Sequence, residues 1–140
     1  SHAISTFFMG NHTEAEKLAK SILEKIEKKQ FGYEAISGRF ATYILAQIHI
    51  AKDIEIAKDY FEKTIYFAES IKAYDSGYYH ASLEWLYLHY KNKGDLPKAQ
   101  TYLEKLAKYV EKKNDRRKIA RKDLRKIKRE IRKQKKIENM

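Results

Sequence analysis

The chain has 140 residues, enough for one hydrophobic core, and it carries a formal charge of +11. It contains no cysteine, which excludes disulfides, a cysteine-ligated zinc site and a cysteine nucleophile, and which fits a reducing, cytoplasmic location. Five glycines and one proline are too few for an all-β fold full of tight turns. No apolar run is long enough to span a bilayer, so we expect no membrane span.

Three segments of the sequence align with an offset of 42 residues, at positions 10–29, 52–71 and 94–113. Apolar residues recur within each segment at spacings of three and four, which predicts an amphipathic helix. The best-matched positions are Ala15, Ala57 and Ala99; Leu18, Tyr60 and Tyr102; and Ala19, Phe61 and Leu103.

Local signals predict where these helices begin and end. Thr13 and Glu16 have the spacing of a capping box, in which each side chain bonds the backbone beside the other. Asp53 and Asp95 suit N-cap positions, and Gly32 suits a helix end.

A further helix precedes each of the last two segments. Apolar residues on one face of 33–51 and 76–92 indicate helices joined to their successors by short polar links, which predicts antiparallel hairpins. The expected core residues are Phe40, Ala41, Ile44, Leu45 and Ile48 in the earlier helix, and Leu83, Leu86, Tyr87 and Tyr90 in the later one. Only residues 3–9 precede the first segment, so we expect the chain to be the C-terminal piece of a longer array.

The last segment, with Gly94-Asp95 followed by Ala99, Tyr102-Leu103 and Leu106, resembles the second helix of a tetratricopeptide repeat. The resemblance covers roughly residues 10–113. The usual period of that family is about 34 residues, whereas HEAT and armadillo repeats run about 40–47. The motif favours the tetratricopeptide family, and we interpret the surplus of about eight residues as extra helical turns in each hairpin.

The resemblance implies an all-α fold, an α-solenoid of antiparallel hairpins over residues 1–113. The pattern of residues 114–140 adds a long basic helix. Such folds act as scaffolds that bind a protein or peptide in a groove lined by the first helix of each pair. Positions beside the core stripe of those helices are the candidate groove residues. They are Arg39, Thr42, Ala46, His49, Glu84, Leu88 and Lys91.

Six aromatic residues lie between positions 74 and 90. Tyrosine and tryptophan are common both at interfaces and in cores with a polar edge. The helical spacing favours packing for most of this cluster, with Tyr79 and Trp85 as the expected exposed exceptions.

The basic character is concentrated in the C-terminal tail. Residues 114–140 hold 13 Lys and Arg against 4 Asp and Glu, a net charge of +9 of the total +11. The pattern predicts one helix over 115–137, with an apolar seam at heptad-like spacing formed by Ala120, Leu124, Ile127 and Ile131. The candidate electrostatic residues are Arg116, Arg117, Arg121, Lys122, Arg125, Lys128, Arg129 and Arg132.

Three interpretations of the tail compete. It caps the last hairpin, since solenoids need terminal caps. Alternatively, the seam pairs with a second chain, giving self-association through a coiled coil. In the third interpretation, the cations bind nucleic acid, acidic lipid or an acidic protein. The tail, residues 114–140, has no aromatic residue, which weighs against base stacking and membrane anchoring.

The sequence shows no phosphate-binding loop, dinucleotide fingerprint, zinc-protease motif or serine-hydrolase elbow. We therefore expect no enzyme activity, no cofactor and no metal site. The leading hypothesis is a protein- or peptide-binding scaffold. The alternatives are a sensory or regulatory segment of a signalling protein and a nucleic-acid-associated protein that uses the basic helix.

Overall fold

A computed structural model describes residues 10–29, 34–110 and 114–140. Over these ranges the chain is all-α, as predicted, and contains no strand. In chain order the helices are α1 His12–Glu27, α2 Ala35–His49, α3 Ile54–Ser70, α4 Gly77–Asn92, α5 Leu96–Tyr109 and α6 Asp115–Glu138. None of them combines the length and apolar character that crossing a membrane requires.

Short polar side chains begin four of these helices. Asp53 accepts hydrogen bonds from the backbone N–H groups of Glu55 and Ile56, and Asp95 accepts one from Lys98, which confirms both predicted N-caps. Asn114 caps α6 in the same way.

The predicted capping box of Thr13 and Glu16 is wrong. Asn11 caps α1 by accepting a hydrogen bond from the Glu14 backbone N–H, so Thr13 already lies inside the helix. Asparagine competes well for this position because its short side-chain oxygen reaches the unpaired N–H groups of the first turn. Gly32, the predicted helix end, lies outside the described residues.

The turn between α4 and α5 closes around Gly94. Its φ of +80° lies in the left-handed region that glycine adopts without steric cost. The Asp95 N–H donates to the Tyr90 carbonyl and the Gly94 N–H donates to the Lys91 carbonyl, a pattern that satisfies the last carbonyls of α4. This turn sets the length of α4 and leads directly into the Asp95 cap of α5.

The chain folds as two compact units, one ending at Ser82 and one running from Leu83 to Met140, with the boundary inside α4. In the first unit, α2 packs against both α1 and α3. Its predicted core stripe is confirmed except at Phe40, which is half-buried. One buried apolar cluster consists of Ala15, Ala19, Ala41, Ile44, Leu45 and Ile48.

A buried polar pair joins α2 to α3 in this unit. The hydroxyl oxygens of Thr42 and Thr64 lie 2.8 Å apart. Thr42 also donates to the Gly38 carbonyl at 2.8 Å, and Thr64 lies 3.0 Å from the Tyr60 carbonyl. Both threonines are fully buried, so neither hydroxyl can turn to bulk water instead.

Replacing either threonine alone with valine is expected to lower the free energy of unfolding by about 1 kcal/mol, because the remaining hydroxyl loses a partner. The double variant Thr42→Val, Thr64→Val should be no less stable than either single variant, since no hydroxyl is then left behind. Urea denaturation of all four proteins measures the coupling. Simple additivity of the two losses would show that the hydroxyls do not interact.

The second unit contains the end of α4 together with α5 and α6, and α6 packs against α5. Its buried apolar side chains come from all three helices, which shows that the basic helix contributes to the core of this unit. They are Leu83, Leu86, Tyr87, Tyr90, Leu96, Ala99, Leu103, Leu106, Ala107, Val110, Ala120 and Ile127.

Candidate partner-binding surfaces

Two of the predicted groove residues do not face an open surface. Thr42 and Ala46 are fully buried, which corrects their assignment. The physical reason is that α2 has neighbours on two sides, so the flank of its core stripe is covered. In addition, the Thr42 hydroxyl is bonded to Thr64 of α3.

Arg39 and His49, also on α2, are half-buried. The Arg39 guanidinium lies 4.7 Å from the centre of the Phe40 ring. His49 stacks on Tyr60, and its Nε2 lies 4.0 Å from a carboxylate oxygen of Glu16. Both side chains are held by intramolecular contacts, and their role in binding stays a prediction.

The remaining groove residues belong to the second unit. Leu88 is 44% exposed and Lys91 is exposed, with its Nζ 5.7 Å above the Tyr87 ring. Glu84 is half-buried and forms an ion pair with Arg116, whose Nε lies 3.3 Å from a carboxylate oxygen. A predicted groove residue and a predicted tail residue therefore meet.

The expectation that Tyr79 is exposed is wrong. Its side chain is fully buried, and its hydroxyl donates to Glu69 of α3 at 2.8 Å. Trp85 is half-buried and stacks on His89, with ring centroids 4.9 Å apart. Among the described residues, the most exposed large aromatic side chain is instead Tyr66 of α3, at 68%. Tyr66 lies outside the aromatic cluster at 74–90, so that cluster does not indicate it.

Tyr87 anchors α6 to α4. Its hydroxyl donates to a carboxylate oxygen of Asp123 at 3.1 Å. Burial, with the Asp123 carboxylate beside it, raises the pKa of Tyr87 well above its usual range. The phenol is therefore protonated at neutral pH, as donation to Asp123 requires.

A cleft opens between α4, α5 and α6 in the second unit, with a volume of about 330 Å³. Its walls are largely apolar. Two of the apolar side chains that line it are exposed to solvent, Leu88 at 44% and Ile119 at 59%. The charged groups at the cleft are already engaged, because Glu84 pairs with Arg116 and Asp123 accepts from Tyr87. The lining residues are Glu84, Tyr87, Leu88, Leu103, Leu106, Arg116, Ile119, Ala120 and Asp123.

The α6 seam is partly occupied within the chain. Ala120 and Ile127 are buried, while Leu124 and Ile131 are half-buried. The seam thus packs within the second unit, where α6 lies against α5, and a role of α6 as a terminal cap stays a prediction. Self-association through the same seam stays a prediction. A second chain would have to contact the half-buried Leu124 and Ile131, or displace α6 from its own unit.

The eight predicted electrostatic residues divide into two groups. Arg116 pairs with Glu84, and the Arg117 side chain donates to the Val110 carbonyl at 3.3 Å, so both help to hold α6 in place. The other six are exposed on the solvent side of α6. They are Arg121, Lys122, Arg125, Lys128, Arg129 and Arg132.

Across residues 10–29, 34–110 and 114–140, no three histidine, aspartate or glutamate side chains converge as metal ligands would. Comparison of the chain with protein-family models, with curated protein sequences and with solved structures gives no significant match.

Proposed function

We propose that the chain is a scaffold module of tetratricopeptide-like helix hairpins that binds a segment of another protein. The α-solenoid arrangement is part of the proposal and is supported by burial at the repeat positions. Ala15, Ala57 and Ala99 are all fully buried, although they lie 42 residues apart. A small buried residue at the same point of successive helices is what close packing of repeated hairpins requires.

The cleft in the second unit is the observation that carries the binding proposal. Monomeric proteins rarely leave large aliphatic side chains clustered at the edge of an apolar depression without a partner to cover them. Leu88 and Ile119 form such a pair on α4 and α6. A volume of about 330 Å³ lies at the lower end of ligand pockets, which suits one or two side chains of a peptide.

The surroundings of the cleft specify the chemistry of the partner segment. Lys122 and Lys126 are exposed three and seven positions after Ile119, on the same side of α6. The acidic groups in the wall, Glu84 and Asp123, are engaged with Arg116 and Tyr87. We therefore expect a segment with a large aliphatic or aromatic anchor followed by acidic residues, which would meet the two lysines.

Selection of displayed 16-residue peptides on the full chain tests this proposal. Enriched peptides should share an apolar anchor near acidic residues and should bind with micromolar affinity. The variant Ile119→Glu should weaken their binding at least about tenfold, because it places a carboxylate at the apolar mouth.

Ile137→Glu is the matched control, since Ile137 is exposed on the same helix and does not line the cleft. It makes the same change of charge and should leave peptide binding within about twofold. If no peptide is enriched, or if the Ile119 and Ile137 variants bind the selected peptides equally well, the cleft is not the binding site.

A further inference from the structure

The outward side of α6 forms a continuous cationic face. Nine Lys and Arg side chains, all exposed, lie within an arc of roughly 140° around the helix axis at 3.6 residues per turn. We call them the α6 cationic face: Lys118, Arg121, Lys122, Arg125, Lys126, Arg129, Arg132, Lys133 and Lys136.

No carboxylate interrupts this face. Between Lys118 and Lys136, the acidic residues of α6 are Asp123 and Glu130, and both fall outside the arc. Asp123 points to Tyr87 instead. Within the part of the chain that the structure describes, none of the nine cations forms a salt bridge. No ion pair among the described residues therefore neutralises their charge.

The face is straight and long enough for an extended partner. From Lys118 to Lys136 it runs 18 residues, or roughly 27 Å at the helical rise per residue, which gives about one positive charge per 3 Å. Near its end, four of the cations line a depression of about 210 Å³ with no other residue type in its wall. These are Arg129, Arg132, Lys133 and Lys136. Such a depression suits a compact anion such as a phosphate group.

The packing of α6 fixes which side faces a partner. Ala120 and Ile127 are buried on the opposite side, so the helix can dock on its unit and present its charges at the same time. With this stripe buried, Ile119 and Ile137 are the exposed large apolar side chains of α6, a small area for insertion into a membrane interface.

We infer that the α6 cationic face binds double-stranded DNA through its phosphates, without strong sequence preference. A helix about 10–12 Å across matches the major groove of B-form DNA, which is about 12 Å wide. The narrow major groove of duplex RNA does not admit one. The face has no aromatic side chain on which single-stranded bases could stack. Lys122 and Lys126 belong both to this face and to the surroundings of the cleft, whereas Arg125, Arg129 and Arg132 do not line the cleft.

Fluorescence anisotropy with a labelled 20-base-pair duplex of mixed sequence tests the inference on the full chain. If about five phosphates are neutralised, the binding constant should fall about 500-fold between 50 and 200 mM salt. Replacing three residues at the centre of the face, Arg125→Gln, Arg129→Gln and Arg132→Gln, should weaken binding roughly 100-fold at 150 mM salt, at about fivefold per lost contact.

The matched control removes three exposed lysines elsewhere, by Lys17→Gln, Lys63→Gln and Lys108→Gln. It has the same net charge as the test variant and should bind DNA within about threefold of the unchanged chain. Circular dichroism verifies that α6 stays helical in the test variant, as glutamine favours.

Three results would overturn the inference. One is equal weakening by the test and control variants, which would show a response to net charge alone. The second is binding that does not change with salt. The third is displacement of the duplex by poly-glutamate or by phosphatidylserine vesicles at an equal concentration of negative charge, which would assign the face to an acidic protein or to a membrane.

Discussion

Replacing Phe61 with alanine is expected to lower the free energy of unfolding of the first unit by about 4 kcal/mol. Phe61 is only 1% exposed and is among the largest fully buried side chains. Its ring meets the Tyr43 ring edge-on, with centroids 6.2 Å apart, so truncation removes an aromatic contact as well as buried area.

Guanidinium chloride denaturation, followed by circular dichroism, measures this loss. Tyr66→Ala is the matched control, because Tyr66 is 68% exposed on the same helix and leaves no cavity when truncated. It should change stability by less than about 1 kcal/mol. Similar losses from the two variants would mean that α3 is not packed with Phe61 inward.

The size of the effect matters because natural domains are stable by only about 5–15 kcal/mol in total. A loss of about 4 kcal/mol is a large fraction of that margin. Because the chain folds as two compact units, two unfolding transitions are also expected in this variant, with the first unit melting earlier.

The helices were predictable because the signals that start and stop them are local. The N-caps Asp53 and Asp95 and the turn at Gly94 each act within a few residues. The basic helix, predicted over 115–137, spans Asp115–Glu138 in the structure. The cap of α1 is Asn11, two residues before the predicted Thr13.

The burial of amphipathic residues was harder to predict. Threonine and tyrosine carry both apolar atoms and a hydroxyl. A position beside the apolar face of a helix therefore does not determine whether such a side chain is buried or exposed. Thr42 is buried because Thr64, 22 residues away, supplies a hydrogen-bond partner. Tyr79 is buried because Glu69 accepts its hydroxyl hydrogen. Periodicity within one helix holds no information about either partner.

The cleft could not be predicted for the same reason. It depends on three helices meeting, and its ion pair joins Glu84 to Arg116 across 32 positions of sequence. The sequence predicts these two residues on separate surfaces, a groove and a tail. Packing of α6 in the second unit makes them neighbours, so a partner in the cleft would touch both.

Docking of α6 leads to the second large prediction. Ile127→Asp is expected to weaken the second unit by about 3–4 kcal/mol and to release α6 from α5. Ile127 is 1% exposed, so the substitution loses a buried aliphatic side chain and places a carboxylate in an apolar site. Amide hydrogen exchange should show faster exchange throughout α6, because a helix this rich in like charges gains little stability on its own.

Ile137→Asp provides the control, since Ile137 is 69% exposed near the end of the same helix. It introduces the same charge and should leave exchange in the rest of α6 unchanged. If Ile127→Asp instead turns a dimer into a monomer while exchange in the monomer stays slow, the seam serves a second copy of the chain rather than α5.

The Ile127→Asp variant also separates the effect of α6 docking on DNA affinity from the effect of the α6 charges. Because it keeps all nine cations, it should lose far less DNA affinity than the triple substitution that removes three of them.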